Sequence, residues 1–144
     1  MKIYFAGSIR GGRGDSESYF KIIDFLENYG DVLTEHIGCI DLMASGEKNK
    51  TDKEIHDRDL NWLLESDLII AEVTNPSLGV GYEIGRAIEY DKNIFCLYKI
   101  GSENELSAMI SGSPNIQVIQ YKNLKSLNRK LKDILCRYHD RIEA

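Results

Sequence analysis

The sequence predicts an α/β fold: a flavodoxin-like, or Rossmann-like, sheet of five parallel strands in the order 2-1-3-4-5, with helices on both faces. Short apolar runs alternate five times with longer stretches in which apolar residues recur at helical spacing. Right-handed crossovers between parallel strands favour that order and put the switch point of the sheet between the first and third strands. Ligands bind at such a switch point, at the carboxyl ends of the strands.

Each predicted strand is a short run of apolar and β-branched residues, which is typical of buried strands. The predicted strands lie at Lys2–Ala6, Val32–Ile37, Leu68–Val73, Ile94–Tyr98 and Ile116–Gln120. Gly30, just before the second strand, stands where a glycine is expected to end a helix.

The predicted helices fill the spaces between these strands, at Ser16–Tyr29, Thr51–Leu64, Val80–Tyr90, Glu105–Ser111 and Leu124–Tyr138. The second begins with a capping-box pattern, since Thr51 is followed three residues later by Glu54. Residues 38–50 are expected to form a loop or a ragged helix, and His139–Ala144 a frayed tail.

Composition limits the class of protein and the kind of partner. With 144 residues, 42% hydrophobic and 28% charged, the chain is long enough for one domain, expected to span 1–144. The net charge of −5 gives no long-range attraction for a nucleic acid polymer. No apolar run approaches the roughly 20 residues that cross a membrane. Because MKIYFAGS leads directly into a strand, we expect a cytoplasmic protein with no membrane partner.

Two glycine-containing loops are predicted to face each other across the switch point. The first, GSIRGGRG at residues 7–14, offers backbone N–H groups, a serine hydroxyl and two arginines for an anion. It matches neither the dinucleotide-binding nor the ATP-binding glycine pattern, and by itself a surface turn remains an alternative. The second, NPSLGVG at residues 75–81, offers Ser77 and the N–H of Gly79. Together the loops favour a phosphate cradle.

Three side chains near these loops are candidates for chemistry. Glu83 follows the second loop near the start of a helix, where a carboxylate would look into the crevice; a solvated helix residue is the alternative. Asp59 is one of several acids on the preceding helix, and Tyr4 would ordinarily be a core residue. Because strand residues alternate between faces, the Tyr4 hydroxyl could still reach the site.

The histidines and cysteines do not predict a metal or a cofactor. His36 could reach the site or serve a structural role, whereas His56 and His139 are expected to be solvated. Neither the histidines nor the three scattered cysteines have metal-ligand spacing. What remains is a carboxylate site beside a phosphate cradle, and paired carboxylates are the tools of glycosidic bond cleavage.

Five segments carry a resemblance to the 2′-deoxynucleoside 5′-phosphate N-hydrolase family, a branch of the nucleoside 2-deoxyribosyltransferase superfamily. They are YFAGSIRGGR at Tyr4–Arg13, VLTEH at Val32–His36, IHDRDLNWL at Ile55–Leu63, AEVTNPSLGVGYEIGRA at Ala71–Ala87 and LSAMI at Leu106–Ile110. The resemblance runs from Lys2 to about Tyr121 and implies one nucleoside deoxyribosyltransferase-like domain. Residues 38–54 depart from the family pattern, which leaves the base preference open.

The resemblance implies hydrolysis of a deoxynucleoside monophosphate to a free base and 2-deoxyribose 5-phosphate, without a cofactor. Glu83 matches the family nucleophile that forms a deoxyribosyl ester, Asp59 the second carboxylate, and Tyr4 the tyrosine that positions the nucleophile. The resemblance also implies a homodimer with shared active sites. The matching substrate-binding residues are Gly7, Ser8, Ile9, Arg10, Gly11, Gly12, Arg13, His36, Ser77, Gly79 and, from the neighbouring subunit, Ser107, Ala108 and Met109.

Two other functions remain open at this stage. A nucleoside 2-deoxyribosyltransferase would move the sugar to a second base, but it has no need for serine and glycine donors around a 5′-phosphate. A non-catalytic nucleotide-binding module would gain nothing from Glu83, because a carboxylate beside a bound dianion weakens binding unless it acts on the sugar.

Overall fold

The computed structural model describes residues 1–9, 16–34, 47 and 49–144. Its sheet has five parallel strands in the order β2-β1-β3-β4-β5, so the predicted class and strand order are confirmed. Within it, Tyr4 of the first strand lies opposite Ile69 of the third, and Ala6 opposite Ala71. The strands are β1 (Lys2–Ala6), β2 (Asp31–Val32), β3 (Leu68–Glu72), β4 (Asn93–Lys99) and β5 (Ile116–Tyr121).

The described helices are α1 (Ser16–Leu26), α2 (Asp52–Glu65), α3 (Leu78–Glu89), α4 (Ala108–Ser111) and α5 (Leu124–Glu143). The capping box of α2 is formed as predicted: the Thr51 hydroxyl accepts from the Glu54 N–H, and the Glu54 carboxylate accepts from the Thr51 N–H. Helix α3 begins two residues before its predicted start, because the Ser77 hydroxyl accepts from the Val80 N–H and caps it.

The second strand is shorter than predicted. Only Asp31–Val32 pair as a strand, Leu33 and Thr34 form a turn, and residues 35–37 lie outside the described ranges. The Thr34 hydroxyl replaces the backbone hydrogen bonds that a longer β2 would make to β1. It accepts from the Phe5 N–H at 2.8 Å and donates to the Phe5 carbonyl at 2.6 Å. A side chain here satisfies the backbone groups that a longer strand would have paired.

Contrary to the prediction, Gly30 does not end a helix in a left-handed conformation, and its role is to allow close packing of two backbone segments. A Cβ at this position would lie 2.3 Å from the carbonyl oxygen of Met1, and the φ of Gly30 is not positive. Helix α1 has already ended at Leu26, three residues short of its predicted end. The glycine therefore lets the chain pass the start of β1 as it enters β2.

The predicted frayed tail is wrong, since α5 continues to Glu143. Tyr138 packs edge-on against Phe95 of β4 with the ring centroids 5.9 Å apart, and the Arg141 guanidinium lies 5.8 Å from the Tyr138 ring. His139 and Glu143 approach to 3.5 Å one turn apart. These contacts extend the helix beyond its last leucine.

The two faces of the sheet form separate cores. Alternate strand residues such as Ile3, Phe5 and Ile70 pack under α1 and α5, in a cluster that includes Leu131 of α5. The residues between them, including Tyr4 and Ile69, pack under α2 and α3. Among the described residues, no helix is long and apolar enough to cross a bilayer.

Candidate active site

A cavity of about 710 Å³ opens between α2 and α3, above the carboxyl ends of β1 and β3. Its volume lies within the roughly 300–1,000 Å³ of small-molecule sites. The cavity is at the switch point that the strand order creates, since β1 and β3 are neighbours whose crossover helices lie on opposite faces. Glu83, Asp59 and Tyr4 all line it, together with Ser77 and Gly79.

Glu83 lies in the second turn of α3 and points one carboxylate oxygen into the protein. Its Oε2 atom is buried and has no hydrogen-bond partner of ordinary geometry among the described residues. The pKa of Glu83 is raised to about 7: burial raises it most, the neighbouring Tyr4 hydroxyl lowers it, and the charge of Asp59 raises it. A carboxylate whose pKa is shifted toward neutrality in a cavity is a candidate for chemistry.

Tyr4 reaches the cavity because β1 alternates its side chains between the two cores. The residue is fully buried, and its hydroxyl makes no hydrogen bond of ordinary geometry within the described ranges, although it lies near enough to Glu83 to lower the pKa of that carboxyl. Burial, followed by the negative charges of Glu83 and Asp59, raises the pKa of Tyr4. The hydroxyl therefore keeps its proton at any physiological pH.

Asp59 lies on α2 across the cavity from Glu83, with its side chain one-fifth exposed. Its Oδ1 atom accepts from Nε of Arg58 at 2.9 Å, and Nη2 of the same guanidinium lies 2.9 Å from that oxygen as an ion pair. The outer edge of the same guanidinium donates to Glu47, from Nη1 to Oε2 at 2.9 Å and from Nη2 to Oε1 at 2.7 Å. The hydrogen bonds to Glu47 and Asp59 raise the pKa of Arg58 still further above its ordinary value.

The described part of the first loop, residues 7–9, lies beside the cavity. Gly7 and Ile9 line the cavity, while Ser8 is fully buried behind them. The Ser8 N–H donates to the Tyr19 hydroxyl at 3.2 Å, and its own hydroxyl has no partner among the described residues. A Cβ on Gly7 would lie 2.9 Å from the Tyr19 ring, so any larger residue at this position would have to displace that buried ring.

Of the other predicted site residues, some lie outside the described residues and others lie away from this cavity. Arg10, Gly11, Gly12, Arg13 and His36 lie outside the described residues. Ser107, Ala108 and Met109 do not line the cavity of their own chain. The Ser107 hydroxyl instead accepts from the Met109 N–H and caps α4, and the Met109 side chain is 82% exposed.

One wall of the cavity carries a polar array that the sequence reasoning missed. His56 is exposed, as expected, but it also lines the cavity, and its Nε2 lies 2.8 Å from the Tyr82 hydroxyl. That hydroxyl also accepts from Nη1 of Arg86 at 2.7 Å. The other ring nitrogen of His56, Nδ1, lies 2.9 Å from an Asp57 oxygen, so His56 links Tyr82 to Asp57.

The helical spacing of residues in the sequence could have predicted this array. On α2 the cavity is lined at His56, Asp59, Leu60 and Leu63, and these are the i, i+3, i+4 and i+7 positions of one helix face. The same spacing recurs on α3 at positions 79, 82, 83 and 86. Within the described ranges, no cluster of three His, Cys, Asp or Glu side chains is arranged to hold a metal ion.

Comparison with known proteins identifies the family of the chain. The sequence model of a family described as nucleoside 2-deoxyribosyltransferase matches residues 3–124. The chain is 54% identical over 125 residues to a 5-hydroxymethyl-dUMP N-hydrolase of Danio rerio, covering 85% of this chain and 87% of that protein. It is 58% identical over 113 residues to a Trichoplax adhaerens protein whose name provisionally assigns it as a 2′-deoxynucleoside 5′-phosphate N-hydrolase; the match covers 78% and 76% of the two chains.

A solved structure supports the fold in particular. The Clostridium botulinum CMP N-glycosidase superposes with a TM-score of 0.64, over 92% of this chain and 98% of that one, at 22% identity. The chain therefore belongs to the nucleoside 2-deoxyribosyltransferase family, and it is an enzyme of the N-glycosidase type.

Proposed function

We propose that this enzyme hydrolyses the N-glycosidic bond of 2′-deoxynucleoside 5′-monophosphates, releasing a free base and 2-deoxyribose 5-phosphate. The observation that carries the proposal is Glu83, whose buried Oε2 atom has no ordinary partner among the described residues and which shares a cavity with Asp59 and Tyr4 beside the N-terminus of α3. The names of the Danio and Trichoplax relatives, which assign N-hydrolysis of deoxynucleotides, point to the same substrate class.

Glu83 acts in this proposal as the nucleophile. Its carboxylate oxygen forms a bond to the anomeric carbon as the bond from that carbon to the base nitrogen breaks, and the electron pair leaves with the base, which takes up a proton. Water then adds to the anomeric carbon, loses a proton and releases Glu83 from the deoxyribosyl ester. Two carboxylates on one site suit such a retaining sequence, with Asp59 stabilising the positive charge that develops on the sugar.

Tyr4 orients the nucleophile. Its hydroxyl stays protonated because burial and the nearby carboxylates raise its pKa, and it lies close enough to Glu83 to lower the pKa of that group. It therefore favours the ionised, nucleophilic form of Glu83 against burial and the charge of Asp59, which both favour the protonated form.

The N-terminus of α3 suits the 5′-phosphate. Since the Ser77 hydroxyl accepts from the Val80 N–H at 3.3 Å, its own proton is left to donate to a ligand. A Cβ on Gly79 would meet only the Ser77 oxygen, at 3.9 Å, so the glycine leaves open space beside the helix end. About three charge-assisted donors, each worth roughly 1.5–3 kcal/mol, would hold the dianion despite a net chain charge of −5.

A substrate panel tests this function. Release of free base is measured for 5-hydroxymethyl-dUMP, dGMP, deoxyguanosine and GMP, with and without a second free base as acceptor. We expect kcat/KM to be highest for a deoxynucleoside monophosphate and to fall by orders of magnitude without the 5′-phosphate. Comparable kcat/KM for deoxyguanosine, with transfer of the sugar to the acceptor base, would instead support the deoxyribosyltransferase reaction.

The proposal includes a homodimer in which Ser107, Ala108 and Met109 complete the partner's cavity. It is supported by two large apolar side chains that are left exposed: Leu78 at the cavity rim, 97% exposed, and Met109 on α4, 82% exposed. Mixing inactive Glu83→Gln with Ser107→Ala should generate heterodimers with one intact site, and so a gain of activity above the sum of the parents. Full activity of a species that light scattering shows to be monomeric would contradict the shared site.

A further inference from the structure

Arg58 and Asp59 make a contact that their places on the helix do not favour. Consecutive helical residues point about 100° apart and do not face each other. The guanidinium of Arg58 nevertheless bends so that both Nε and Nη2 lie 2.9 Å from the same Asp59 oxygen. Such a geometry needs other groups to hold the guanidinium in place.

Glu47 and Trp62 supply that support. The Glu47 carboxylate meets the far edge of the guanidinium in a two-bond fork, at 2.7 and 2.9 Å. Trp62 lies one turn after Arg58, with the centre of its ring 4.7 Å from the guanidinium carbon, and it packs against the core under α2 and α3. The side chains of Arg58 and Glu47 are only 21% and 19% exposed, so this pair is better shielded than an ordinary surface ion pair.

The cation has an electrostatic consequence for the chemistry of the cavity. Asp59 and Glu83 are two carboxylates on one site, and the charge of Asp59 raises the pKa of Glu83. A bound phosphate would add further negative charge. Arg58 offsets the charge of Asp59 where the two side chains touch, and so it lowers the free energy of the state in which both carboxylates are ionised.

We propose that Arg58, held by Glu47 and Trp62, is a positioning residue that keeps Asp59 ionised and fixes its carboxylate toward the cavity. Asp59 then serves as a fixed anion and hydrogen-bond acceptor, and it does not serve as the proton donor to the leaving base. The inference rests on the proposed function insofar as that function gives Asp59 its part in the reaction.

The first test compares Arg58→Gln with Lys53→Gln, which removes a cation from the same helix at an 85% exposed side chain. We expect Arg58→Gln to lower kcat by about 10- to 100-fold, since a misplacement of about 1 Å can cost roughly 100-fold. The thermal midpoint is measured alongside, so that kcat is compared on folded protein. An Arg58→Gln protein that matches Lys53→Gln in kcat would overturn the proposal.

A double-mutant cycle asks whether Arg58 acts through Asp59. If it does, Arg58→Gln adds little further loss in an Asp59→Asn background, because the group that it positions is already gone. An equal fold-loss in the wild-type and Asp59→Asn backgrounds would mean that Arg58 acts independently of Asp59, and would contradict the inference.

The third test separates charge from position and needs no substrate. Removing the cation makes the doubly ionised pair less favourable, so carboxyl NMR titration of Arg58→Gln should show the last proton leaving the Asp59–Glu83 pair at higher pH than in wild type. Arg58→Lys should restore the titration more than kcat, because lysine keeps the charge and loses the planar fork. An unchanged titration in Arg58→Gln sinks the inference, whereas a wild-type enzyme inactive on deoxynucleotides would sink the proposed function alone.

Discussion

The two faces of one sheet are built from alternate residues of the same strands, yet they do different work. On the α1/α5 face, Phe5 packs edge-on against Tyr19, with ring centroids 5.8 Å apart, in a core closed by aliphatic side chains. On the α2/α3 face, the residue just before Phe5 is Tyr4, whose buried hydroxyl has no hydrogen-bond partner of ordinary geometry in the described ranges. One face is therefore an ordinary apolar core, whereas the other carries buried polar atoms at the cavity, and the two differ by a single residue on β1.

The largest difference between the faces should come from Glu83→Gln. Loss of a covalent nucleophile should remove turnover, a rise in barrier on the order of 4 kcal/mol or more. In the wild type, the nucleophile must be ionised, so kcat/KM of the free enzyme should fall about tenfold per pH unit below the pKa of about 7. Base release is followed by chromatography from pH 5 to 9. A folded Glu83→Gln protein that still releases base near the wild-type rate would remove Glu83 from the role of nucleophile.

A matched pair of leucines tests the contrast next. Leu131 is fully buried under the α1/α5 face, whereas Leu60 lines the cavity and is partly exposed. Leu131→Ala should cost about 3 kcal/mol of unfolding free energy and leave kcat/KM of the folded enzyme near wild type. Leu60→Ala should cost less stability and raise KM. Urea unfolding and steady-state kinetics on both variants measure this; a larger loss of kcat/KM in Leu131→Ala than in Leu60→Ala would contradict the division between the faces.

The same contrast explains what the sequence could predict. Strand order and the α2 cap follow from local patterns, because apolar alternation and the Thr51–Glu54 spacing lie within a few residues. The end of β2 and the extension of α5 depend on the contacts of Thr34 with Phe5 and of Tyr138 with Phe95, which are distant in sequence. No local sequence pattern predicts such contacts between residues that are distant in the chain.

The candidate site divides in the same way. Glu83, Asp59 and Tyr4 came from the switch point and the family resemblance, and all three line one cavity. The fork between Arg58 and Glu47 joins a residue of α2 to a residue 11 positions earlier, before the helix begins, and no local pattern predicts that these two side chains meet. The catalytic roles of Glu83, Asp59 and Tyr4 remain predictions.

The smallest expected effect is a gain of stability in Glu83→Gln that depends on pH. The pKa of Glu83 is raised from 4.5 to about 7, so between these values the folded protein holds a proton that the unfolded chain has released. Stability then falls as the pH rises through this window, because the unfolded state binds fewer protons. At about 1.4 kcal/mol per pH unit, the cost above pH 7 is at most about 3.5 kcal/mol. It is less in practice because Glu83 as a whole residue is partly exposed, although its Oε2 atom is buried.

Replacing the carboxyl with an uncharged amide removes that cost. The unfolding free energy of Glu83→Gln relative to wild type should therefore rise from pH 4.5 to pH 7 and level off above it, whatever constant offset the amide introduces. Urea titrations at pH 4.5, 6, 7 and 8 measure the difference, with Glu17→Gln on the exposed side of α1 as the matched control. A difference that stays flat across these pH values would mean that burial of Glu83 does not strain the folded protein, and the contrast between the two faces would then rest on geometry alone.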